Sequence, residues 1–426
     1  MKYKYFILFS FFFFAYSYDT LWFRRFGTEI SEYGGYSAID GNNNIILCLY
    51  TSDRQRMGII KYSPSGEIMW ERNFVIYYGA PREITCDRER NIIIVGFFFN
   101  NRSHLIKFSP DGETLWSRGL ELGEYGALYG VVTDDSNNII VSGTLTESDD
   151  EDIILAKFSP SGNLIWQRIY DLGWNDWEGL YSVVLDKEGN IIGTGDYGLL
   201  ENTYFLTMKF DKDGNLIWQK SLDFEDTDTG HEIIIDSFNN IYACGTIACG
   251  LRVTSILIKY NKEGETLFTR RYITNYDNCF WGLALDRLGN ILVIGDMITE
   301  TLPNITGVCI LLKYSPSGES LFFQYYNFAS EMLGVDIHFD KYENIYVSGW
   351  IKDYPEDDWD IYLMKLLYTS IIKEERNNKK IIYFEKYKEI FDITGKKIKP
   401  QKIPSKGIYF LKEDKRIKKH ITVIKR

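Results

Sequence analysis

The sequence predicts an all-β fold built from repeated four-stranded units, and three observations carry this prediction. An aspartate, three variable residues and Asn-Ile occur seven times, at intervals of 47 to 54 residues. A second motif follows six of these copies in full: a lysine, an aromatic residue, a turn, a glycine, and an aromatic residue four positions later. Between the motifs, apolar and polar residues alternate with a period of two, which is typical of half-buried strands.

The first motif predicts a tight hairpin in every unit. Its copies begin at Asp40, Asp87, Asp134, Asp186, Asp236, Asp286 and Asp340. The aspartate can accept backbone N–H groups, while Asn or Gly takes the left-handed position of the turn. Nine residues after the aspartate stands a glycine in six copies, and Leu49 in the first. We expect this glycine to allow close backbone approach where the units converge.

The second motif predicts a contact between neighbouring units. Its aromatic residues are Trp70, Trp116, Trp166, Trp218, Phe268 and Phe322. Such a side chain is large and flat enough to fill a wedge between two sheets. The seventh copy begins at Lys365 and stops without a turn or a tryptophan, whereas Thr20–Phe26 resembles a closing strand with no repeat before it.

A repeat divided between the two chain ends favours a circular array, because an open solenoid would gain nothing from the division. Four short strands per unit of about 50 residues is typical of a propeller. In one unit we expect strands at Leu180–Leu185, Ile191–Thr194, Phe205–Phe210 and Leu216–Ser221. The sequence thus predicts a seven-bladed β-propeller over residues 18–369, with four-stranded blades. The last blade is closed by Leu21–Phe26 beside the sheet of Leu333–Leu366.

The two chain ends predict export. Lys2 and Lys4 precede an apolar run, and Ala15-Tyr16-Ser17 supplies small residues two apart, so residues 1–17 have the pattern of a cleaved signal peptide. An uncleaved anchor is the alternative. No later stretch reaches about 18 uninterrupted apolar residues, so no other membrane span is expected. We therefore expect a secreted or cell-surface protein.

Charge and cysteine content exclude several classes of function. Residues 371–426 hold 18 Lys and Arg against 7 Asp and Glu, a net +11, which leaves −22 for the rest of the chain. An acidic body argues against nucleic-acid binding. None of the six cysteines forms a C-x-x-C or zinc-type spacing. Cys244 and Cys249 could bridge neighbouring strands in an oxidising compartment, or remain free thiols.

Two kinds of loop stand out as candidate sites. One loop combines aromatic and acidic side chains, at Trp174, Asp176, Trp177 and Glu178, and Trp359 stands in a second acidic loop; such loops suit sugar binding. Asp176 and Glu178 would be the candidate carboxylate pair of a glycosidase. Oxygen ligands from Asp150, Asp152, Asp358 and Asp360 could hold Ca²⁺. The alternative for these acidic segments is a solvated loop that keeps sheet edges apart. No other cofactor is expected.

The repeat resembles known propeller families. The Asp-x-x-x-Asn-Ile hairpin and Lys-Phe-Ser-Pro-Ser-Gly-Asn-Leu-Ile-Trp166 look like the β-propeller repeats of large secreted bacterial surface proteins. Gly162 followed by Trp166 also resembles the tryptophan-docking repeat of quinoprotein (PQQ-like) propellers. The resemblance covers roughly Leu21–Tyr368 and implies an architecture rather than an activity.

The tail has a resemblance of its own. The segments around Asp392, Gly395, Gly407 and Tyr409 are similar to C-terminal sorting domains of the type IX secretion system, which are small β-sandwiches. The resemblance implies a sorting domain at residues 370–426 that engages secretion machinery. The tail departs from the family by lacking the usual opening segment rich in Asn and Pro, and a small appended β domain without a sorting role is the alternative.

For the whole chain we expect a non-enzymatic binding protein that recognises a protein or a polysaccharide. The alternative is a secreted enzyme: a glycoside hydrolase or lyase, or a quinoprotein-like oxidoreductase. A hydrolase should bring a few unlike acids together at one mouth of the channel, whereas a binding module should show aromatic residues without such convergence.

Overall fold

The computed structural model describes residues 13–28, 30–98, 102–120, 125–147, 150–173, 177–199, 202–224, 226–250, 252–299, 306–353 and 358–376, and in the tail 379–383, 389–392, 397–398, 407–413 and 416–423. Two compact units are present: Thr20–Leu366, and Met1–Asp19 together with Leu367–Arg426. All regular elements of the described residues are strands. No helix in this part of the chain has the length and apolar character that crossing a membrane requires.

Strands of the larger unit fall into groups of four. The first strands are β2 (Glu32–Ile39), β6 (Ala80–Cys86), β10 (Tyr125–Thr133), β14 (Trp177–Leu185), β18 (Thr227–Ile235), β22 (Asn278–Leu285) and β26 (Glu331–Phe339). The second strands are β3 (Ile45–Thr51), β7 (Ile92–Phe98), β11 (Ile139–Glu147), β15 (Ile191–Leu199), β19 (Ile241–Cys249), β23 (Ile291–Ile298) and β27 (Ile345–Lys352).

The outer half of each group is equally regular. The third strands are β4 (Arg56–Tyr62), β8 (Arg102–Phe108), β12 (Asp150–Phe158), β16 (Asn202–Phe210), β20 (Arg252–Tyr260), β24 (Gly307–Tyr314) and β28 (Trp359–Arg376). The fourth strands are β5 (Ile68–Val75), β9 (Thr114–Gly119), β13 (Leu164–Tyr170), β17 (Leu216–Leu222), β21 (Thr266–Tyr272) and β25 (Ser320–Tyr326). The strand β1 (Phe13–Phe26) pairs with β28 and takes the fourth place in the last group, the position that the divided repeat predicts.

The aspartate motif forms the predicted hairpin between the first and second strands. In the first copy Asp40 accepts the backbone N–H groups of Asn42 and Asn44 at 2.8 and 2.9 Å, and the Asn44 amide donates to its other oxygen. The residue before the asparagine has a positive φ, for example 64° at Asn43 and 80° at Gly189. Arg90 and Glu343 take the same conformation in their copies, which is less usual for such side chains.

An ion pair, largely buried, joins the two motifs in five of the seven units, and the two motifs taken separately do not predict it. Lys61 Nζ lies 2.9 Å from the Asp40 carboxylate, and both side chains are buried. Burial alone would raise the pKa of Asp40, but the hydrogen bonds from Lys61 and Asn44 outweigh it and lower the pKa. The corresponding pairs are Lys107–Asp87, Lys157–Asp134, Lys209–Asp186 and Lys313–Asp286.

The repeated glycine allows close backbone approach in two directions, of which the sequence predicts only one. A Cβ on Gly195 would lie 1.9 Å from the carbonyl oxygen of Gly179, on the first strand of the same sheet. The closest approach is therefore within a unit, but the glycine also faces the next unit, since a Cβ on Gly230 would lie 3.1 Å from the Gly195 backbone. In the first unit Leu49 occupies this position, and the opposite strand carries Gly34 with a φ of 108°. The glycine has thus moved to the partner strand.

The aromatic residues dock between neighbouring groups, as predicted. A Cβ on Gly112 would lie 3.1 Å from the Trp70 ring of the preceding group, and Phe268 takes the same place against Gly318. Apolar side chains from adjacent sheets complete each interface, as where Ile46 and Ile59 share a cluster with Ile92. The core therefore lies between sheets.

The first and last groups are in contact. Trp22, on the strand that completes the last group, lies against Gly66 of the first. Lys365 Nζ donates to the Pro64 carbonyl at 3.1 Å, which repeats the contact of Lys61 with Pro110. These contacts join sheets that are separated by about 300 residues in sequence.

The strand assignment corrects the suggestion that Cys244 and Cys249 bridge neighbouring strands. Cys244 and Cys249 lie on one strand, β19, and not on neighbouring strands. Cys244 is a free, buried thiol.

Besides the ends of β1 and β28, the described residues of the smaller unit form five short strands. They are β29 (Lys379–Tyr383), β30 (Glu389–Asp392), β31 (Lys397–Ile398), β32 (Gly407–Glu413) and β33 (Arg416–Val423). The last four form one sheet in the order β31-β30-β32-β33, in which Asp392 is opposite Tyr409.

Candidate functional site

A β-bulge occurs at the same position of all seven first strands and directs side chains towards the middle of the unit. The ladder skips one residue there, for example Arg82 between Pro81 and Glu83 in β6. The skipped residues are Gly35, Arg82, Tyr129, Tyr181, His231, Trp281 and Val335. Each stands five residues before its repeated aspartate. Bulges commonly redirect side chains next to functional sites.

These strands together line one cavity of about 720 Å³. All seven first strands contribute to its wall, and second strands add Tyr50, Asp196, Asp296 and Trp350. The aromatic wall residues are Tyr36, Tyr50, Tyr129, Tyr181, Trp281 and Trp350. The acidic ones are Glu83, Asp196, Glu232, Asp296 and Asp336. The lining differs between most of the first strands, although Tyr129 and Val131 of β10 recur as Tyr181 and Val183 of β14, so the site as a whole is asymmetric while the scaffold repeats.

Glu83 and Glu232 favour their protonated forms. Burial raises the pKa of Glu232 to about 8, and the nearby Asp336 adds to the shift. Burial also raises the pKa of Glu83, followed by repulsion from Glu232 and Asp336. Three carboxyl groups therefore lie close enough to influence one another, and Glu232, with a pKa of about 8, holds a proton at neutral pH.

Asp336 is the ionised member of this group. Burial would raise its pKa, but the adjacent His338 outweighs burial and lowers it. His338 Nε2 lies 3.0 Å from Asp336 Oδ2, and Ser37 N donates to the same oxygen at 2.9 Å. The Asp336 carboxylate in turn overcomes the effect of burial on His338 and raises its pKa to about 9. Environment has thus separated the protonation states of neighbouring carboxyl groups.

Two further acids are held by neutral donors. Tyr181 donates to Asp196 at 2.7 Å and Thr229 donates to its other oxygen at 2.8 Å. Burial raises the pKa of Asp196 to about 6. The indole N–H of Trp281 donates to Asp296, whose pKa burial also raises to about 6. These hydrogen bonds fix the tyrosine and the tryptophan in the cavity wall.

His231 is stacked on the Trp281 ring, with ring centroids 4.3 Å apart. Its Nδ1 lies 2.9 Å from the Phe280 carbonyl oxygen. Burial lowers the pKa of His231 to about 4. This histidine is neutral at physiological pH, unlike His338, so the two can play different chemical roles.

Of the loop residues singled out from sequence, Trp177 and Glu178 do not line this cavity. Trp174 and Asp176 lie outside the described residues. Trp177 begins β14 and its side chain is 48% exposed. Glu178 is buried, and its carboxylate accepts the backbone N–H of Leu172 at 2.7 Å. Burial raises its pKa to about 8. Glu178 thus holds its own loop, and a role for these residues in ligand binding stays a prediction.

Trp359 lies one layer behind the cavity. Its ring contacts Trp350, with centroids 6.2 Å apart, and Trp350 is a wall residue. Of the proposed calcium ligands, Asp360 pairs with Arg25 and Asp358 accepts a hydrogen bond from Ser31. Asp150 and Asp152 lie on β12 in a different sheet. Among the described residues, no group of three or more His, Cys, Asp or Glu side chains is arranged to hold a metal ion.

The sorting motif is described only in part. Asp392 lies on β30, and Gly407 and Tyr409 lie on β32. Gly395 lies outside the described residues.

Sequence reasoning missed the cavity because it followed what the units share. The signal lies in a position that the units do not share. Five residues before the repeated aspartate, the seven units have Gly, Arg, Tyr, Tyr, His, Trp and Val in turn. In a scaffold this regular, a position that varies so widely is not needed for packing.

No protein-family model matches the chain, and no curated protein matches it. Among solved structures it is similar to an ulvan lyase of polysaccharide lyase family PL25, with 11% identity and a TM-score of 0.53 over 82% of this chain and 96% of that one. It is also similar to the WD40 domain of Neurospora crassa Pan2, with 10% identity and a TM-score of 0.50 over 82% and 95%. At these identities the likeness concerns the fold, which is that of β-propeller proteins.

Proposed function

We propose that the chain binds a polysaccharide in the cavity formed by its seven first strands. The observation that carries this proposal is the convergence of six aromatic side chains with hydrogen-bonding groups in one concave site. Aromatic faces suit the apolar faces of sugar rings, and the polar groups between them suit hydroxyl groups. The positions that hold these residues vary between units, whereas the positions that build the scaffold do not.

A glycan array probed with the intact chain tests this proposal, followed by titration calorimetry on any glycan that binds. Trp281→Ala removes a wall residue and is expected to weaken binding about 10-fold or more. Trp177→Ala is the matched control, since this exposed tryptophan lies outside the cavity. Thermal unfolding of both variants checks that the fold is kept. Loss of binding in Trp177→Ala alone would place the site at the loop predicted from sequence and contradict the proposal.

Cleavage of the bound polysaccharide is the second candidate, and one observation favours it. Glu232 holds a proton at neutral pH while the neighbouring Asp336 is ionised. An acid and a base side by side are what general acid–base cleavage of a glycosidic linkage requires. The ulvan lyase shares the fold with this chain, but a shared fold does not establish a shared reaction.

The two candidates are separated by incubating the intact chain with each glycan that binds. New reducing ends alone indicate hydrolysis, and reducing ends with ultraviolet absorbance from an unsaturated product indicate a lyase. Under this candidate Glu232→Gln abolishes product formation but keeps binding, because glutamine has nearly the same shape and cannot donate the proton. A glycan that is bound and never cut would leave the binding role alone.

We infer in addition that the seven four-stranded groups form one closed seven-bladed ring. Three observations support this: the pairing of β1 with β28, the contact of Trp22 with Gly66, and the contribution of all seven first strands to one cavity. A closed ring leaves no uncovered sheet face between the first and last groups, because the sheets pack face to face.

We also propose that the chain is exported, with residues 1–17 as the signal peptide and residues 370–426 as a type IX sorting domain. Cell fractionation in a bacterium that has this system is the test, comparing the full chain with a variant that ends at residue 369. The variant is expected to stop in the periplasm. Its arrival at the cell surface would show that the tail is an appended domain.

Calcium at Asp150, Asp152, Asp358 and Asp360 remains a separate proposal. The acidic oxygens are suitable ligands. A rise in melting temperature on adding Ca²⁺ that is lost in Asp150→Asn would support it.

A further inference from the structure

Arg82 is the only arginine or lysine among the described residues that line the cavity. It occupies the bulge of β6, so its side chain points into the cavity and not into a sheet interface. The guanidinium lies over the rings of Phe97 and Tyr129, 5.2 and 5.5 Å from their centroids. Its Nε is buried and has no hydrogen-bond partner among the described residues.

The surroundings of Arg82 are unusual for a partly buried cation. The groups nearest to its guanidinium are tyrosines: Tyr36 hydrogen-bonds to it, and Tyr129 and Tyr50 lie close by. No carboxylate of the described residues forms an ion pair with it, although five acids line the same cavity. A buried charge without a counter-ion is costly, and proteins normally pair it. Aromatic faces attract a cation but do not satisfy its N–H donors.

The five acids of the cavity have other partners. Asp336 is paired with His338, Asp196 with Tyr181 and Thr229, and Asp296 with Trp281. Glu83 and Glu232 form the remaining pair, and both favour the neutral form. An anionic ligand group beside Arg82 would therefore not be repelled by unpaired, ionised carboxylates.

We propose that Arg82, with the hydroxyls of Tyr36 and Tyr129, forms an anion subsite that selects polysaccharides carrying an acidic group on the sugar. The inference rests on the proposed polysaccharide-binding function and adds the ligand class. The planar guanidinium can present the N–H groups of its terminal nitrogens to the two oxygens of a carboxylate or of a sulfate ester. The tyrosine hydroxyls supply further donors and keep water from the charge pair.

The test compares three probes on the intact chain: an oligogalacturonate, a sulfated galactan oligosaccharide and a neutral β-glucan oligosaccharide. Free glucuronate and free glucose at high concentration form a fourth arm, read by thermal shift, that does not depend on polysaccharide binding. Arg82→Gln removes the charge and keeps much of the side-chain volume. The control is Arg168→Gln, an arginine that lies over the Trp166 ring outside the cavity.

Arg82→Gln is expected to weaken binding of the acidic probe about 10- to 100-fold, as for a lost hydrogen-bonded charge contact, and to leave neutral probes unchanged. Arg168→Gln should change neither. Stronger binding of the carboxylate probe than of the sulfated one, or the reverse, identifies the acidic group.

Two results would overturn the inference. One is binding of the neutral oligosaccharide by the wild type without any response to the acidic probes or to glucuronate; the polysaccharide function would then stand and the acidic ligand class would fall. The other is equal binding of acidic probes by the wild type and Arg82→Gln. If glucuronate shifts the melting temperature of the wild type but not of Arg82→Gln, while no oligosaccharide binds, the anion subsite stands and the polysaccharide proposal fails.

Discussion

Six glycines illustrate how tightly single residues are specified in this fold. Gly96, Gly143, Gly195, Gly245, Gly295 and Gly349 face a carbonyl oxygen across the bulge, and a Cβ there would lie 1.9 to 2.2 Å from it. The bulge that redirects a side chain into the cavity thus requires a bare backbone on the neighbouring strand. The residues that line the cavity can differ between units because the contact between this glycine and the carbonyl oxygen stays the same.

Gly195→Ala is therefore expected to destabilise the unit by about 3 kcal/mol, since the carbonyl of Gly179 must move to admit a methyl group. Gly41→Ala is the control, with its nearest neighbouring atom 3.8 Å from the added carbon. Other copies carry Arg88 or Lys187 at this turn position, so the change should stay within about 0.5 kcal/mol. Urea unfolding measures both. Equal stabilities of the two variants would show that the bulge relaxes without cost.

The protonated state of Glu232 predicts an effect of pH on stability. Its pKa is about 8 in the folded chain against the ordinary 4.5 of a glutamate, so its stabilising contribution is full below about pH 4.5 and is lost as pH rises through about 8. Glu232→Gln cannot ionise and should be more stable than the wild type by about 1–3 kcal/mol at pH 8, with little difference at pH 4. Chemical unfolding at both pH values is the measurement. A constant difference at the two values would contradict the buried, protonated state.

At the scale of elements, each four-stranded group is coupled to the next by one aromatic ring and one lysine. Trp70 lies on Gly112 and its indole N–H donates to the Pro110 carbonyl at 3.3 Å. Lys61 donates to the same carbonyl at 3.0 Å while it pairs with Asp40. The hairpin of one group and the turn of the next are thereby joined through a single lysine, which explains why both motifs recur together.

Trp70→Ala is expected to cost about 3–5 kcal/mol, because it opens a gap between two sheets. Trp70→Phe should cost clearly less, since Phe268 already fills the equivalent place against Gly318. Thermal and urea unfolding of the two variants give the comparison. Similar losses in both would mean that the indole N–H, and not the filled volume, carries the coupling.

For the whole larger unit, the decisive contacts are those between its first and last groups. Trp22 lies on Gly66 as Trp70 lies on Gly112, and Ser37 donates to Asp336 across the same junction. Asp336 is held ionised partly by this hydrogen bond. The electrostatics of the cavity therefore depend on a contact between residues about 300 positions apart.

Trp22→Ala tests this junction. If the ring is closed, the change should destabilise the unit by about 3–5 kcal/mol, as at any interior junction. Leu21→Ala is the control, because this neighbouring side chain is 55% exposed and should contribute less than about 0.5 kcal/mol. A near-neutral Trp22→Ala would indicate that the first and last groups do not support each other.

The repeat alone determined the all-β class, the strands of each group, the hairpin chemistry of Asp40 and its equivalents, and the docking of Trp70 and its equivalents. These features follow from local turn chemistry and from an aromatic residue repeated at a fixed distance, so a single repeat of about 50 residues is enough to predict them. The Lys61–Asp40 pair was missed because its two motifs were considered separately.

Only the tertiary structure decided where the site lies. Arg82, Glu232 and Asp336 are about 100 or more positions apart in sequence, and nothing local indicates that they share one cavity. These residues lie in one cavity because the same bulge recurs in every first strand and because the strands surround a common space. Their protonation states depend on this proximity, since burial and neighbouring charges act over a few ångströms in space and not along the chain.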